Sequence, residues 1–226
     1  MKTSKILSLF ILLFSISCFS QHREKANFGV PTYTEREMTS YDKDKEAPAV
    51  VLFESGKNHV DLIDNRIRLV KDVHRKMKVF NPSKFNHAEV EIYYYKSDKT
   101  KEKVVRLEAI THNGDHKTFV SGQSVYDIDV NENWGMKRFT FPNIKKGSIL
   151  EYKYSIESAF FANFGGWDFQ GDLPKIYTEF YTEVTANYNY KRALYGNHEL
   201  FINEVSIKED CFSIPSSSSV ADCEVA

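Results

Sequence analysis

The chain has 226 residues, and its 30 Lys and Arg nearly balance its 31 Asp and Glu. A hydrophobic content of 42% with 27% charged residues is ordinary for a globular protein and excludes wholesale disorder. The net charge of −1 gives no electrostatic reason to expect nucleic acid as a partner. Aromatic residues make up 14% of the chain, and Tyr and Phe in alternating patterns favour strands.

The first twenty residues have the layout of a secretory signal peptide. Lys2 and Lys5 form a positive start, and Ile6–Phe19 is an apolar run broken only by serines. A run of about 14 residues is too short to span a bilayer, which needs about 20. The small residues expected at positions −3 and −1 before a cut at Gln21 are Cys18 and Ser20. We therefore expect residues 1–20 to be removed on export to the periplasm or cell envelope, which leaves no transmembrane segment. A buried core helix is the less favoured alternative.

The three cysteines allow two further expectations. Cys18 can be a lipidation site, but Ser15 stands where lipoprotein signals usually carry Leu, so plain export is favoured over a lipid anchor. The remaining pair is Cys211 and Cys223, and exported chains meet an oxidising compartment in which thiols tend to pair. We expect a disulfide between them, with two free thiols as the alternative.

Residues 21–48 are predicted to form an N-terminal extension with a short helix and a charged linker. Thr34 and Glu37 have the spacing of a capping box, in which a hydroxyl and a carboxylate three residues later satisfy the first helical N–H groups. The expected helix runs from Glu35 to about Ser40. The linker ends at Pro48, which disfavours a helical conformation at Ala47.

Alternating polarity predicts about nine or ten strands between residues 49 and 210. The expected strands are Ala49–Glu54, Arg66–Val79, Glu89–Tyr95, Lys103–Thr111, Lys117–Val120, Met136–Phe141, Ser148–Phe160, Ile176–Tyr190 and Leu200–Ile207. Ser55-Gly56 is predicted as a turn, Asn113-Gly114 as a hairpin turn, and residues 121–135 as a loop that holds Trp134. With no βαβ alternation, this pattern predicts an all-β antiparallel β-sandwich with one short N-terminal helix. Residues 211–226 are expected to be a flexible C-terminal segment leading toward a missing domain.

In the strand at residues 66–79, one set of alternate residues is mostly aliphatic and the other set, the polar parity, is mostly basic. The polar parity is expected to be a solvated face of the sheet, and contact with nucleic acid or anionic lipid is the alternative that net charge and export disfavour. Its members are Arg66, Arg68, Asp72, His74, Lys76 and Lys78.

From about Phe28 onward the chain resembles a bacterial envelope family known as domain of unknown function 3857. The stretches that carry the resemblance are Phe28-Gly29, Ala49–Glu54, Arg75–Phe80, Asn113-Gly114, Phe141–Tyr152, Trp167–Gln170 and Leu173-Pro174. In that family the β domain usually precedes a transglutaminase-like domain, which holds the catalytic Cys, His and Asp. The resemblance therefore implies an accessory β domain, truncated or stand-alone, whose partner is a transglutaminase-like domain in cis or in trans.

The candidate binding residues are aromatic and amide side chains in two loops. Residues 160–170 are rich in Gly and aromatics, and such loops suit a plug over the end of a sandwich, partner docking or sugar stacking. We expect the plug first and assign binding to Trp167, Phe169, Gln170 and Trp134 as the alternative.

No catalytic or metal-binding constellation is complete in the sequence. Cys223 lacks a following His and Asp, so it is not expected to be a nucleophile. His112 and His116 flank the hairpin and are expected to be solvated, because two imidazoles without a third ligand do not make a physiological metal site. Glu89 and Glu91 share one strand face, unlike a glycosidase pair. We therefore expect no enzyme activity, no cofactor and no metal.

The sequence is compatible with two functions. The first is a non-catalytic exported interaction domain that serves a transglutaminase-like module. The alternative is a stand-alone envelope module that binds a glycan or a peptide.

Overall fold

The computed structural model describes residues 26–160, 164–184 and 191–207, and their secondary structure is almost entirely β. One helix, α1 (Tyr33–Glu37), precedes nine strands. The strands are β1 (Ala49–Ile63), β2 (Arg66–Val79), β3 (Glu89–Tyr95), β4 (Lys103–Asn113), β5 (His116–Phe119), β6 (Tyr126–Asp129), β7 (Trp134–Thr140), β8 (Ile149–Ser158) and β9 (Thr178–Thr182). One 3-10 turn, Gly122–Ser124, lies between β5 and β6.

The strands form two sheets, which confirms the predicted all-β sandwich. The large sheet has the order β5-β4-β8-β2-β1-β9, and the small sheet has the order β3-β7-β6. The core between the sheets joins Val51, Met77 and Leu150 of the large sheet to Ile92 and Phe139 of the small one. All pairings within the named strands are antiparallel except β1 with β9, which is parallel. The long connection between β8 and β9 allows β9 to run parallel to β1.

Several predicted boundaries are correct because the local signal was strong. The strands Arg66–Val79 and Glu89–Tyr95 have the predicted ends. The predicted hairpin is also present, but its two turn residues are Gly114, at a φ of 63°, and Asp115 rather than Asn113 and Gly114.

The turn predicted at Ser55-Gly56 is wrong, because β1 continues to Ile63. The chain reverses instead at Asp64 and Asn65, whose φ values of 50° and 58° suit a tight hairpin turn. Asp and Asn tolerate this left-handed conformation better than other residues with a side chain.

The helix also starts earlier than predicted. Thr32, not Thr34, is the N-cap: its hydroxyl accepts from the N–H of Glu35, whose carboxylate accepts from the N–H of Thr32. Both threonines have a Glu three residues later, so the capping-box pattern alone could not choose between them. The structure uses the pair in which Glu35 also reaches Lys76.

The remaining differences concern short or exposed segments. The predicted loop 121–135 contains β6 and the first residues of β7, so Trp134 begins a strand. The predicted strand Ile176–Tyr190 is reduced to β9 over Thr178–Thr182, with residues 185–190 outside the described part. The predicted strand Leu200–Ile207 is wrong, since these residues form no strand or bridge.

Among the described residues, no helix combines the length and the hydropathy needed to cross a membrane. The expected signal peptide, Cys18 and the Cys211–Cys223 pair all lie outside the described residues.

Candidate functional site

The polar parity of β2 lies on the outer face, which is the face of the large sheet that points away from the small sheet. Strand register places Lys76 beside Glu151 and His74 beside Lys153 on this face. The expectation that the whole parity is solvated is wrong, because Lys76 and Lys78 are only 1% and 2% exposed.

The covering segment, residues 26–48, buries these two lysines. The Lys76 ammonium donates to both carboxylate oxygens of Glu35, at 3.2 and 3.3 Å. The Lys78 ammonium donates to the Arg36 carbonyl at 2.7 Å, near the end of α1. Apolar contacts complete the cover, with the partly buried side chains of the segment packed on the outer-face cluster Val50, Leu52, Phe80 and Ile149. Each buried cation therefore has an oxygen partner, as its burial requires.

Glu151 lies at the centre of the buried part of the outer face. Its Oε1 is 2.8 Å from His74 Nε2, and its Oε2 is 3.0 Å from His112 Nε2 and 2.9 Å from the Gly29 nitrogen. The Lys76 ammonium is 4.0 Å from Oε1. Burial alone would raise the pKa of Glu151, but the hydrogen bonds from His112 and His74, the charge of Lys76 and the Gly29 N–H lower it to about 2. Because an ionised carboxylate only accepts, both imidazoles donate through Nε2–H.

This arrangement suits attachment of the covering segment better than catalysis. A carboxylate with a pKa of about 2 takes up no proton at neutral pH, and both its oxygens are already occupied. The two histidines use different oxygens of Glu151, and no three His, Cys, Asp or Glu side chains in the described part of the chain are placed to hold a metal ion.

The prediction that the hairpin histidines are solvated is wrong for His112, which is buried. In the hairpin register, His112 pairs with Lys117 while Asn113 pairs with His116. The two histidines therefore point to opposite faces of the hairpin and cannot form a pair.

Beyond the covering segment, the outer face is open and forms a groove of about 470 Å³. Strands β4, β8, β2 and β1 supply its floor, and its charged side chains are held in pairs. Lys153 lies 2.9 Å from Glu108, and the Arg106 Nε donates to Ser155 Oγ at 3.0 Å. The Ser155 hydroxyl donates in turn to Asp72.

Arg106 reaches this groove through a β-bulge. The β4–β8 register breaks between Val105 and Glu108, so Arg106 and Leu107 together oppose one residue of β8. Leu107 packs against the core, while Arg106 adopts a φ of 54° and extends its guanidinium over the outer face. Bulges commonly re-aim one side chain in this way, at a cost in backbone strain.

Trp167, the leading candidate from the sequence, is partly buried against β1 and β9. Its ring stacks on Phe180 with centroids 5.4 Å apart and planes 7° apart. The indole N–H donates to Thr178 Oγ1 at 3.0 Å. A Cβ on Gly56 would lie 2.4 Å from the Trp167 ring, so only glycine fits beneath it. This side chain fastens its loop onto the sheet.

The other three candidate residues have different surroundings. Phe169 is partly buried and Gln170 is exposed. Trp134 is exposed at the start of β7, with its ring 5.6 Å from that of Tyr95, which also contacts Phe160. No contact between described residues joins Trp134 to Trp167, so the structure does not unite the four into one site.

Glu151 and Arg106 were not predicted from the sequence, and His112 was predicted in the wrong surroundings. For Glu151, the available signal was a single carboxylate within the otherwise apolar run Ile149–Tyr152. Alternation alone would predict that one side of this strand faces solvent. For Arg106 no local signal existed, because a bulge is a feature of two paired strands.

No known protein family matches this chain, and no curated protein is detectably similar to it. Among solved structures, the chain is similar to a crystal structure of a "putative protease" from Parabacteroides distasonis ATCC 8503, with 14% sequence identity and a TM-score of 0.39. The match covers 49% of this chain and 23% of that protein, so the chain spans less than a quarter of its length. Membership of the family that the sequence resembles therefore stays a hypothesis.

Proposed function

We propose that this chain is a non-catalytic β-sandwich interaction domain of the cell envelope, and that residues 191–207 dock a transglutaminase-like module in cis or in trans. The observation that supports docking is the exposure of apolar side chains in this segment. Tyr195 is 91% exposed and Phe201 is 97% exposed. Other exposed apolar side chains of the segment are Leu194, Ile202, Val205 and Ile207.

Such a concentration of apolar side chains is unusual on the free surface of a soluble domain. The segment has no strand or helix among its described residues, so its side chains do not belong to either sheet. Aromatic side chains such as those of Tyr195 and Phe201 are enriched in the buried cores of protein interfaces.

The kind of partner is inferred from the resemblance at Phe141–Tyr152 and Trp167–Gln170, because the family accompanies a transglutaminase-like domain. The proposal that the chain lacks catalysis of its own is supported by Glu151. That buried carboxylate accepts three hydrogen bonds, lies 4.0 Å from the Lys76 ammonium and has too low a pKa to act as a base at neutral pH.

The test mixes the purified chain with a purified transglutaminase-like domain from a protein that carries this type of β domain. We expect a one-to-one complex in size-exclusion chromatography, and a loss of affinity of about tenfold or more for Phe201→Ser with Val205→Ser. The matched control is Phe119→Ser with Tyr126→Ser, which changes two exposed side chains elsewhere and should bind normally. Absence of a complex, or equal binding by both variants, would contradict docking through residues 191–207.

A separate measurement addresses catalysis. The chain alone should not turn over peptide, transglutaminase or glycan substrates. Turnover that is abolished by Cys223→Ala would overturn the proposal of a non-catalytic domain.

A further inference from the structure

The open part of the outer face has the chemistry of a ligand site that is separate from residues 191–207. We infer that this groove, together with Tyr181 at its end, binds a neutral oligosaccharide. The inference goes beyond the proposed docking function and uses different residues.

The floor of the groove limits how a ligand can be recognised. It includes β2 and β8, which are interior strands of the large sheet with a neighbour on each side. Their backbone N–H and C=O groups are used in the ladders, so no extended peptide can add to the sheet here as a further strand. A ligand in this groove must be bound through side chains.

The charges in the groove balance, which argues against an ionic ligand. Each cation has a carboxylate partner: Lys153 with Glu108 at 2.9 Å, Lys57 with Glu183 at 3.0 Å, and Arg106 with Asp72 at 3.9 Å. An anionic or cationic ligand would bring an uncompensated charge into a groove whose own charges are already paired.

The same side chains still have unused hydrogen-bonding capacity. The Arg106 side chain is 59% exposed, and its Nε–H donates to Ser155. Other N–H groups of the guanidinium, which has five, are available to a ligand. The Ser155 hydroxyl and Asp72 carboxylate are held by their own hydrogen bond, so these groups are fixed before a ligand arrives. Fixed donors and acceptors of no net charge match the hydroxyl groups of a neutral sugar.

Tyr181 provides an aromatic surface at one end of the groove. It pairs with Lys57 across β1 and β9, which places both side chains on the outer face. Tyr181 is 53% exposed, and the Lys57 ammonium lies 5.5 Å from its ring centroid. An exposed phenol ring offers an apolar face and a polar tip, a combination that suits the C–H face and hydroxyl edge of a pyranose.

The groove is also long enough for several sugar units. From Arg106 on β4 the line of side chains crosses β8, β2 and β1 to Tyr181 on β9. Four strand spacings amount to about 19 Å. A volume of about 470 Å³ lies within the range of about 300–1,000 Å³ seen for small-molecule sites. These dimensions favour a short oligosaccharide over a single sugar.

The test is isothermal titration calorimetry of the purified chain with neutral hexasaccharides, namely cellohexaose, chitohexaose and xylohexaose, at about 1 mM. Hexagalacturonate serves as the anionic comparison. We expect at least one neutral probe to bind with one-to-one stoichiometry, and Arg106→Ala and Tyr181→Ala each to weaken it about tenfold or more.

The matched controls are Arg138→Ala and Tyr126→Ala, which remove the same side-chain types from the small sheet and should leave affinity unchanged. If Arg106→Ala fails to fold, Tyr181→Ala and Arg106→Lys, which keeps the charge but not the planar donor set, decide the matter. No binding of any neutral probe, tighter binding of hexagalacturonate, or equal losses in the control variants would overturn the inference.

Discussion

Glu151 lies in the middle of β8 and accepts hydrogen bonds from three distant parts of the chain. His74 belongs to β2, His112 to β4 and Gly29 to the covering segment. Because every oxygen of the buried carboxylate has a donor, the charge is stabilised where desolvation alone would make it unfavourable. Removing it leaves buried donors without an acceptor.

We predict that Glu151→Gln removes a specific pH dependence of stability. The pKa of Glu151 falls from 4.5 to about 2 on folding, so its contribution is fully present above about pH 4.5 and is lost as the pH falls toward 2. The shift corresponds to about 3 kcal/mol. Because pH 3 still lies above the folded-state pKa, urea unfolding at pH 7 and pH 3 should show about 2 kcal/mol of this difference for the wild type and not for Glu151→Gln. The exposed control Glu89→Gln should behave like the wild type, and identical pH slopes in all three proteins would contradict the prediction.

Trp167 is the second residue whose surroundings make a measurable prediction. Trp167→Ala should lower the free energy of unfolding by about 2–3 kcal/mol, slightly less than for a fully buried Trp because the ring is only partly covered. Thermal and urea melts measure this. With Trp134 replaced by Phe, the emission of Trp167 should shift to the red on unfolding. A folded protein whose emission is already that of a solvated indole would show that Trp167 is free for a ligand.

Strand β1 shows how one element accommodates its neighbours over 15 residues. A bulge between Val51 and Phe53 shifts its register against β2, which directs Val51 to the core and Phe53 to the outer face beside His74. Farther along, Gly56 leaves the space that the Trp167 ring occupies. Strand β1 therefore fits its neighbours through one bulge and one glycine.

We predict that Gly56→Ala destabilises the chain by about 1–3 kcal/mol through overpacking. The added Cβ would lie 2.4 Å from Trp167 and 2.9 Å from Phe180, and both rings must then move. Gly122→Ala is the matched control, since nothing lies within 4 Å of a Cβ built there. In a double-mutant cycle, Gly56→Ala should cost much less in the Trp167→Ala background. Additive effects would mean that the two residues are not coupled.

At the scale of the whole molecule, the two faces of the large sheet are covered unequally, one by the small sheet and the other by the covering segment. One face packs on the small sheet, while the covering segment buries only part of the other. The remaining part of that face is the groove that we assign to a neutral oligosaccharide. Among the described residues, the covering segment reaches only the part of the face around Glu151, Lys76 and Lys78.

Export predicts a defined N-terminus for the mature chain. Cleavage before Gln21 should give a protein that begins at this residue, with partial cyclisation of the glutamine. Intact mass spectrometry of protein secreted by a bacterial host measures it. A species that begins at a lipid-modified Cys18 would establish the alternative.

The same compartment predicts a disulfide between Cys211 and Cys223. A bridge across this short segment would add roughly 3 kcal/mol by the chain-entropy argument. Alkylation of exported, unreduced protein should label neither thiol, and alkylation after reduction should label both. Labelling of both thiols without reduction would rule the bridge out.

The sequence by itself determined the fold class and most strands of this protein. Alternation of polar and apolar residues is a property of neighbours along the chain, so Arg66–Val79 and Glu89–Tyr95 were predictable to the residue. The hairpin at Gly114 was predictable for the same reason, because its positive φ is a local requirement.

Only the tertiary structure decided which polar residues are buried and what they bind. Alternation could separate the two faces of β2 but could not show that residues 26–48 lie over Lys76 and Lys78. The Gly29–Glu151 hydrogen bond joins residues 122 positions apart, and the position of Arg106 depends on a register break between two strands. Such contacts depend on how separate segments pack, and the packing free energy is not a property of any one segment.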